Sequence, residues 1–314
     1  MAPRVSIVVP ARDEARHIER CVRSILAQEV DGGVEILVVD DGSADETVRL
    51  ARSAGATVLA GPRLGISAAL NRGLAAAGGS ALLRFDAHAE MPPGYVMSCL
   101  RALEEEAGAA NVGGWRAAAG TSAWGRAVGA ALASSFGVGH PSIWRRPRAG
   151  AKRKDVDHVP LGCFWTSRLR EIGGWREDLL TNEDFELSYR LRVDGGRVVF
   201  DPAIWSIYRP PESLHGIARQ YWRYGQWKAA MLLAAPLSLR PRQLAPPALL
   251  LTVAAAAFPT PLARPSRAAL LVYLAVLGVT SARSRAGWRT APVLVAMHGA
   301  WGAGLLTGFV RRGR

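Results

Sequence analysis

Cysteine is scarce in this 314-residue chain, with three in all. Cys21, Cys99 and Cys163 are odd in number and isolated, and no C-x-x-C or metal-finger spacing occurs. That excludes a disulfide framework, fits a reducing compartment, and leaves each thiol as a small buried apolar side chain. Acids are nearly missing from the last third. Residues 209–314 hold 14 Lys/Arg against the single acid Glu212, whereas residues 1–208 balance at 25 of each sign. The net charge of +13 is therefore not spread as a nucleic-acid footprint would be; it flanks apolar stretches, as basic residues do beside anionic lipid headgroups. No solenoid-type repeat is present. No secretory leader is expected either, because the apolar run "VSIVVP" is too short and meets charges at once.

What is present first is a βα alternation. Val5–Val9 is a β-branched run closed by Pro10, and "DEARHIERCVRSILAQ" follows with Ile18, Val22, Ile25 and Leu26 at helical spacing. "VEILVVDD" is a second strand, a helix begins near Ser43, "ATVLAG" is a third strand, "GISAALNRGLAAAGG" a glycine-closed helix, and "ALLRF" a fourth strand. This order predicts an α/β fold with a mostly parallel, doubly wound sheet that binds ligands at the carboxyl ends of its strands. Asp40, Asp41, Asp86 and His88 all fall at such ends.

Residues 111–160 are rich in Gly, Ala and Arg and read as irregular. Their basic tract "WRRPRAGAKRKD" is either a mobile loop near a ligand or a solvated charge run. Order resumes with a helix over Glu183–Val193 and a strand at "RVVFD". "LHGIARQYWRYGQWKAAMLLAA" interleaves basic and aromatic residues; it suits a helix in the membrane interface or a packed amphipathic helix. Three charge-free segments follow: Gln243–Ala263, Ala268–Ala282 and Thr290–Val310. The first and last have the length to cross about 30 Å of hydrocarbon. The middle one is short, and Pro246, Pro247, Pro259 and Pro261 interrupt the first, so two crossings plus a re-entrant hairpin are expected. The expected domains are thus 1–208, a nucleotide-binding catalytic domain, 209–243, interfacial and acceptor-side helices, and 244–314, two to three membrane segments.

In "RFDAHAEMPP" an acid and an imidazole stand two residues apart at a strand end. Such a pair arises often by chance, but period-2 geometry puts both side chains on one strand face, where they can share a cation.

"VVDDGSADET", "FDAH" and "NEDFELSYRLR", in this order and with "LGCFWTSRLREIGGW" between the last two, resemble the family 2 glycosyltransferases, inverting nucleotide-sugar enzymes of the GT-A fold. The likeness covers about residues 3–228. The Asp-x-His variant, "QYWRYG" and the apolar C-terminal region look most like the succinoglycan-type exopolysaccharide branch. The resemblance implies that Pro10 and Glu14 border the nucleotide base and that Asp40 and Asp41 contact the uridine. It matches Asn71 to the Asn of the family's A-R-N-x-G, with Leu70 in place of the Arg, so the diphosphate-binding arginine lies elsewhere; Arg63 and Arg72 are candidates. Asp86 binds donor and, with His88, fills the metal motif for Mn²⁺ or Mg²⁺, usually Asp-x-Asp. Asp184 matches the general base, and Gln220, Arg223 and Tyr224 an acceptor-binding Q-x-x-R-W with Tyr for Trp.

An Asp-His pair tolerates Mn²⁺ better than Mg²⁺, because hard cations prefer carboxylate oxygen. Thr181 or Asn182 is the expected N-cap of the helix carrying Glu183 and Asp184, and first-turn acids also suit a helix dipole without any catalytic duty. His158 or His215 could complete a metal shell, His17 reads as a surface residue, His298 as a packing residue in a span, and His140 has no assigned partner. The implied enzyme moves a sugar, glucose from UDP-glucose, onto a lipid-linked or saccharide acceptor at the cytoplasmic membrane, as a multi-pass protein with its catalytic domain in the cytoplasm. Two other classes compete: a sugar-1-phosphate nucleotidyltransferase, disfavoured because "PARDEARHIE" has no glycine for a phosphate loop, and a non-catalytic membrane scaffold.

Overall fold

The computed structural model describes residues 3–138, 143–178, 183–234 and 236–312. His140 and the N-cap candidates Thr181 and Asn182 lie outside the described residues. The chain forms two compact units, Met1–Ala117 with Arg145–Tyr208, and Ala118–Trp144 with Arg209–Arg314. The excursion 118–144, expected within the catalytic domain, is counted with the second unit.

In the first unit the chain runs β1 (Val5–Ala11), α1 (Ile18–Leu26), β2 (Val34–Asp41), α2 (Thr47–Ser53), β3 (Thr57–Gly61), α3 (Ile66–Ala76), β4 (Ala81–Arg84), β5 (Ala89–Glu90), α4 (Tyr95–Glu105) and β6 (Ala109–Ala118). Two helices of the second unit, α5 (Ala123–Leu132) and α6 (Ser135–Val138), interrupt it. It resumes with β7 (Lys154–Asp155), β8 (Cys163–Trp165), α7 (Thr166–Glu171), α8 (Glu183–Val193) and β9 (Arg197–Tyr208). The sheet order is β3-β2-β1-β4-β8-β6-β9-β5, with β7 on β9. β1 to β4 pair in parallel, whereas β8 is antiparallel to β4 and β6, and β5 and β7 are antiparallel to β9.

Strand alternation explains the double winding. Val5, Ile7, Val9, Ile36 and Val38 face one side and pack on Ile18, Cys21, Val22 and Ile25 of α1 and Val96 and Leu100 of α4. Val8, Leu37 and Val39 face the other, against Leu70 and Leu74 of α3 and Leu187 and Leu191 of α8. β1, β4 and most of β2 are therefore buried on both faces and read as continuous apolar runs, whereas β3 is the more exposed edge strand.

Residues 111–160 depart from expectation, since β6 and α5 fill much of the stretch read as irregular. The glycines that suggested a loop serve close strand packing: a Cβ on Gly114 would lie 1.8 Å from the Ile204 carbonyl oxygen of β9. The basic tract is tied down at its far end, with Arg153 paired to Asp201 at 2.6 Å and to Glu105 at 2.8 Å. α2 starts at Thr47, later than Ser43, because the intervening side chains are spent on the turn, where the Thr47 N–H donates to Asp45 (3.0 Å).

In the second unit α9 (Leu214–Ala234), α10 (Ala245–Ala257), α11 (Ala263–Ala282) and α12 (Thr290–Arg312) follow in order. The segment Gln243–Ala263 is not one long helix: α10 has 13 residues and ends before Pro259 and Pro261. Ala268–Ala282, read as short, gains a turn and a half upstream through "ARPSR", so α11 reaches 20 residues. The two helices long and apolar enough to cross a membrane are Ala263–Ala282 and Gly287–Val310. α9 packs on α12 along a seam of glycines. Cβ atoms on Gly225, Gly304 and Gly308 would fall within 3 Å of Trp301, Trp222 and Ala229 respectively. α9 is thus packed along one face, which both readings of this helix accommodate. Glu212 receives the N–H groups of Thr121 and Ser122 (both 2.8 Å) ahead of α5.

All three thiols are buried and unpaired. Burial raises each, and pushes Cys163 up to about 12, so none offers thiolate near neutrality. Native protein at pH 8 is expected to leave a disulfide reagent such as DTNB unreacted and to consume three equivalents on unfolding. Rapid reaction of any one thiol in the native state would contradict this packing.

Candidate active site

The loops that leave β1 and β2 are laced together at the carboxyl edge of the sheet. Asp13, at φ 54°, donates its N–H to Ser43 Oγ (3.0 Å) and accepts from the Ala44 N–H (2.8 Å). The Glu14 N–H donates to Thr47 Oγ1 (2.7 Å) and that of Ala15 to Asp45 Oδ2 (3.1 Å). Asp40 accepts the N–H groups of Gly42 and Ser43 (both 3.2 Å), and Asp41 those of Leu64 (2.7 Å) and Gly65 (3.0 Å). Both carboxylates are buried and shape the loops around the strand ends. Pro10 lies beside Val39 in the β1–β2 pairing.

Asn71, on α3, is engaged at both ends of its amide. Its Nδ2 donates to the Trp175 carbonyl (2.8 Å) and to Glu177 (2.9 Å), while Oδ1 accepts the Trp175 N–H (2.9 Å). Arg72 donates to the Ala60 carbonyl (2.6 Å), and Arg63 is exposed.

Next to these loops lies a cluster of buried charge. Strand pairing continues past β4 to Phe85, whose N–H donates to the Val8 carbonyl (2.9 Å), and the chain then turns, with the Ala89 N–H on the Asp86 carbonyl (3.0 Å). Arg84 and Asp86 keep period 2, whereas His88, expected on the same strand face, lies in the turn. Arg84, 5 % exposed, donates to Asp86 Oδ1 (3.1 Å). Its other terminal nitrogen meets Glu183 Oε1 (3.1 Å) and Asp184, both at the start of α8. Arg116, from β6, donates to Asp86 Oδ2 (3.1 Å) and stands over the Tyr208 ring (5.5 Å). His88 Nδ1 lies 3.1 Å from Glu14 Oε1, its ring edge-on to Tyr208. Asp184 also accepts from Trp175 Nε1 (3.4 Å). Asp86, His88, Glu14 and Asp184 are thereby brought into one contiguous network.

Burial alone would raise the Asp86 carboxyl, but the facing charges of Arg84 and Arg116 reverse this and hold it well below the usual carboxylate range. Burial likewise opposes protonation of His88, and the Glu14 and Asp86 carboxylates outweigh it, leaving His88 above its ordinary value. His158, edge-on to Phe185, is pushed down to about 4, chiefly by burial and further by the charges of Arg116 and Arg84. It is neutral at physiological pH, and its Nδ1 is buried with no hydrogen-bond partner among the described residues.

These residues fit a divalent cation. Asp86 is a permanently ionised hard donor, and a carboxylate on His88 Nδ1 fixes the tautomer that leaves Nε2 to ligate, as metal-binding histidines are commonly arranged. Among the described residues no three His, Cys, Asp or Glu converge closely enough to hold a metal unaided. His215 lies on α9 beside Arg219 (2.6 Å) in the other unit. On the same helix Gln220 donates to Tyr224 Oη (2.7 Å), with Arg223 exposed beside them. His298 contacts Tyr273 (3.0 Å) and the Phe136 carbonyl (2.9 Å).

Two buried cations of this network, Arg84 and Arg116, escape a motif-based reading. The period-2 argument carried one step upstream from Asp86 flags Arg84. Arg116 leaves only a weaker signal, a single charge in a strand of small residues.

Residues 6–170 match the model of "Glycosyl transferase family 2". The chain is 31% identical over 236 residues to the succinoglycan biosynthesis protein ExoA of Rhizobium meliloti, covering 72% of this chain and 69% of that protein. A shorter likeness, 47% over 55 residues, joins it to the 4,4'-diaponeurosporenoate glycosyltransferase of Staphylococcus aureus, across 18% of this chain and 14% of that one. Among solved structures, a Pyrobaculum calidifontis mannosyltransferase in complex with GDP-Man and Mn²⁺ superposes with a TM-score of 0.63 at 21% identity, over 95% of this chain and 86% of that one. GalNAc-T7 with UDP, GalNAc and Mn²⁺ gives 0.52 at 17% identity, over 76% and 51% of the two chains. The chain belongs to glycosyl transferase family 2 and is a glycosyltransferase with the GT-A fold. Membership sets aside the nucleotidyltransferase alternative.

Asn71→Ala separates two duties. As a staple between α3 and the Trp175 loop, its loss should cost about 1–3 kcal/mol, the scale of stranding buried partners, read as a lower denaturant midpoint with UDP affinity little changed. Undiminished stability with sharply weaker UDP binding would instead make Asn71 a donor ligand.

Proposed function

We propose that the enzyme transfers glucose from UDP-glucose, with inversion, onto a lipid-linked or saccharide acceptor in exopolysaccharide or cell-envelope glycan synthesis. The observation that carries this reading is the buried Arg84 joining Asp86 to Asp184, with His88 linked to Asp86 through Tyr208 and Arg116, within a family 2 chain. The succinoglycan relative supports the pathway. The UDP and Mn²⁺ in one fold neighbour fit a nucleotide-sugar donor and a divalent cation, although the GDP-Man in another leaves the nucleotide to experiment.

In this reading Glu14, Pro10, Asp40 and Asp41 border the nucleoside, with Asn71 close by. Asp86 and His88 are the protein ligands of Mn²⁺ or Mg²⁺, which when bound neutralises charge developing on the departing diphosphate. Arg116, beside Asp86, supplies the cation that Leu70 fails to provide. Asp184 is the general base. The acceptor hydroxyl gives its proton to the Asp184 carboxylate as the oxygen attacks the anomeric carbon, and the carbon–oxygen bond to the diphosphate breaks with its electron pair leaving on UDP. Gln220, Arg223 and Tyr224 are assigned to the acceptor through the family resemblance. α11 and α12, whose Leu271, Val272 and Leu274 are exposed, are assigned to the bilayer, with the catalytic unit on its cytoplasmic side. Intact Asp86, His88 and Asp184 speak against a non-catalytic scaffold.

The test is product mass spectrometry from a panel of UDP- and GDP-sugars incubated with the full chain and membrane lipid extract. UDP-glucose should give an inverted product. Asp184→Asn should keep UDP binding within a few-fold and lose roughly two or more orders of magnitude in transfer; near-normal turnover in that variant would remove Asp184 as base.

His88→Ala should raise the metal concentration needed for activity, whereas His88→Asp should stay active and shift preference toward Mg²⁺, carboxylate being the harder ligand. Superimposable metal titrations for wild type and both variants would take His88 out of the metal shell.

A further inference from the structure

Most of the carboxylates in the network would repel one another if nothing stood between them, and what stands between is one side chain. Arg84 is buried, reaches Asp86 with one terminal nitrogen at 3.1 Å, and reaches Glu183 at 3.1 Å and Asp184 with the other. Asp86 ends a strand early in the chain; Glu183 and Asp184 open a helix far later. Arg84 is thus in contact with both Asp86 and Asp184. Arg116 touches Asp86 at the same 3.1 Å and stands over the ring of Tyr208, the last residue of β9.

We propose that Arg84 is a positioning residue that fixes Asp184 relative to Asp86, and so sets the reach between the base and the donor diphosphate. The inference rests on the glycosyltransferase mechanism above. One terminal nitrogen hydrogen-bonds Asp86, while the other forms ion pairs with Glu183 and Asp184 and makes no hydrogen bond among the described residues. A planar guanidinium can face both sides at once, which a lysine ammonium does not reproduce. Neutralising the acids also lets α8 begin with two acids facing a third. Misplacement by about 1 Å at a reacting centre costs on the order of 100-fold in rate. The effect should therefore fall on the chemical step rather than on nucleotide binding.

The experiment uses the full chain and compares Arg84→Lys, Arg84→Ala and Arg116→Gln. Arg84→Ala should lose about 100-fold in kcat, while UDP affinity measured without metal stays within a few-fold. Guanidinium ion at millimolar concentration should recover at least 10-fold of the loss, and should recover nothing in the double variant Arg84→Ala with Asp184→Asn. Arg84→Lys should be intermediate. A second readout needs no turnover: in denaturant melts Arg84→Ala and Asp184→Asn should be strongly non-additive, as contacting residues are, whereas Arg116→Gln and Asp184→Asn should add. If Arg84→Ala proves too unstable to purify, Arg84→Lys and the melts of Arg84→Gln carry the comparison. Additive melts for Arg84 with Asp184, a kcat within a few-fold of wild type, or folded variants that guanidinium and lysine leave equally dead would overturn the proposal. A wild-type chain inert toward every sugar donor would instead refute the enzymatic reading, and the melts would still decide whether the bridge exists.

Discussion

Burying carboxylates is costly unless each meets a partner, and this constraint organises the first unit. Asp86 sits where parallel strands end and solvent is largely excluded, so it needs cations, and β4 and β6 each send one. Glu183 and Asp184 open α8, where helix-terminal N–H groups favour negative charge, and they share a guanidinium with Asp86. The lacing of the β1 and β2 loops obeys the same rule in milder form, because Asp13, Asp40, Asp41 and Asp45 each accept backbone N–H groups. Loop shape and site charge are thus products of one accounting of polar groups.

That accounting also says why several acids do two things at once. Asp41 holds Leu64 and Gly65, fixing the entry to α3, and α3 in turn presents Asn71 to the Trp175 loop. Trp175 packs against Phe164 and turns its indole N–H toward Asp184. Asp41 is thereby connected to Asp184 through α3, Asn71 and Trp175.

The parallel half of the fold was legible because its central strands are buried on both faces and its helices are punctuated by glycine; α8 was placed over Glu183–Val193, as observed. Asp40, Asp41 and Asp86 fall at strand ends as their positions after apolar runs suggest, but His88 lies in a turn, so strand parity does not describe it. Less legible was anything set by partners distant in sequence. β6 read as loop because Gly113 and Gly114, normally poor in strands, are required there by the approach of Ile204 and Val159. Arg84, inside the strand "ALLRF", drew no role because two of its three acidic partners, Glu183 and Asp184, lie far along the chain. α11 read as short because Arg264 and Arg267 were taken as its flanks, whereas they occupy its first two turns.

The glycine seam between α9 and α12 bears on the order of folding. α9 is made long before α12, and between them come α10 and α11, which do not supply the same close fit. Gly225 must wait for Trp301 and Leu305, and Ala229 for Gly308. Until the late helix is synthesised, α9 carries an unfilled groove and its tryptophans lack their final neighbours. Because loop closure over such a separation precedes any reward in contacts, this seam should be among the last parts of the molecule to form during biogenesis.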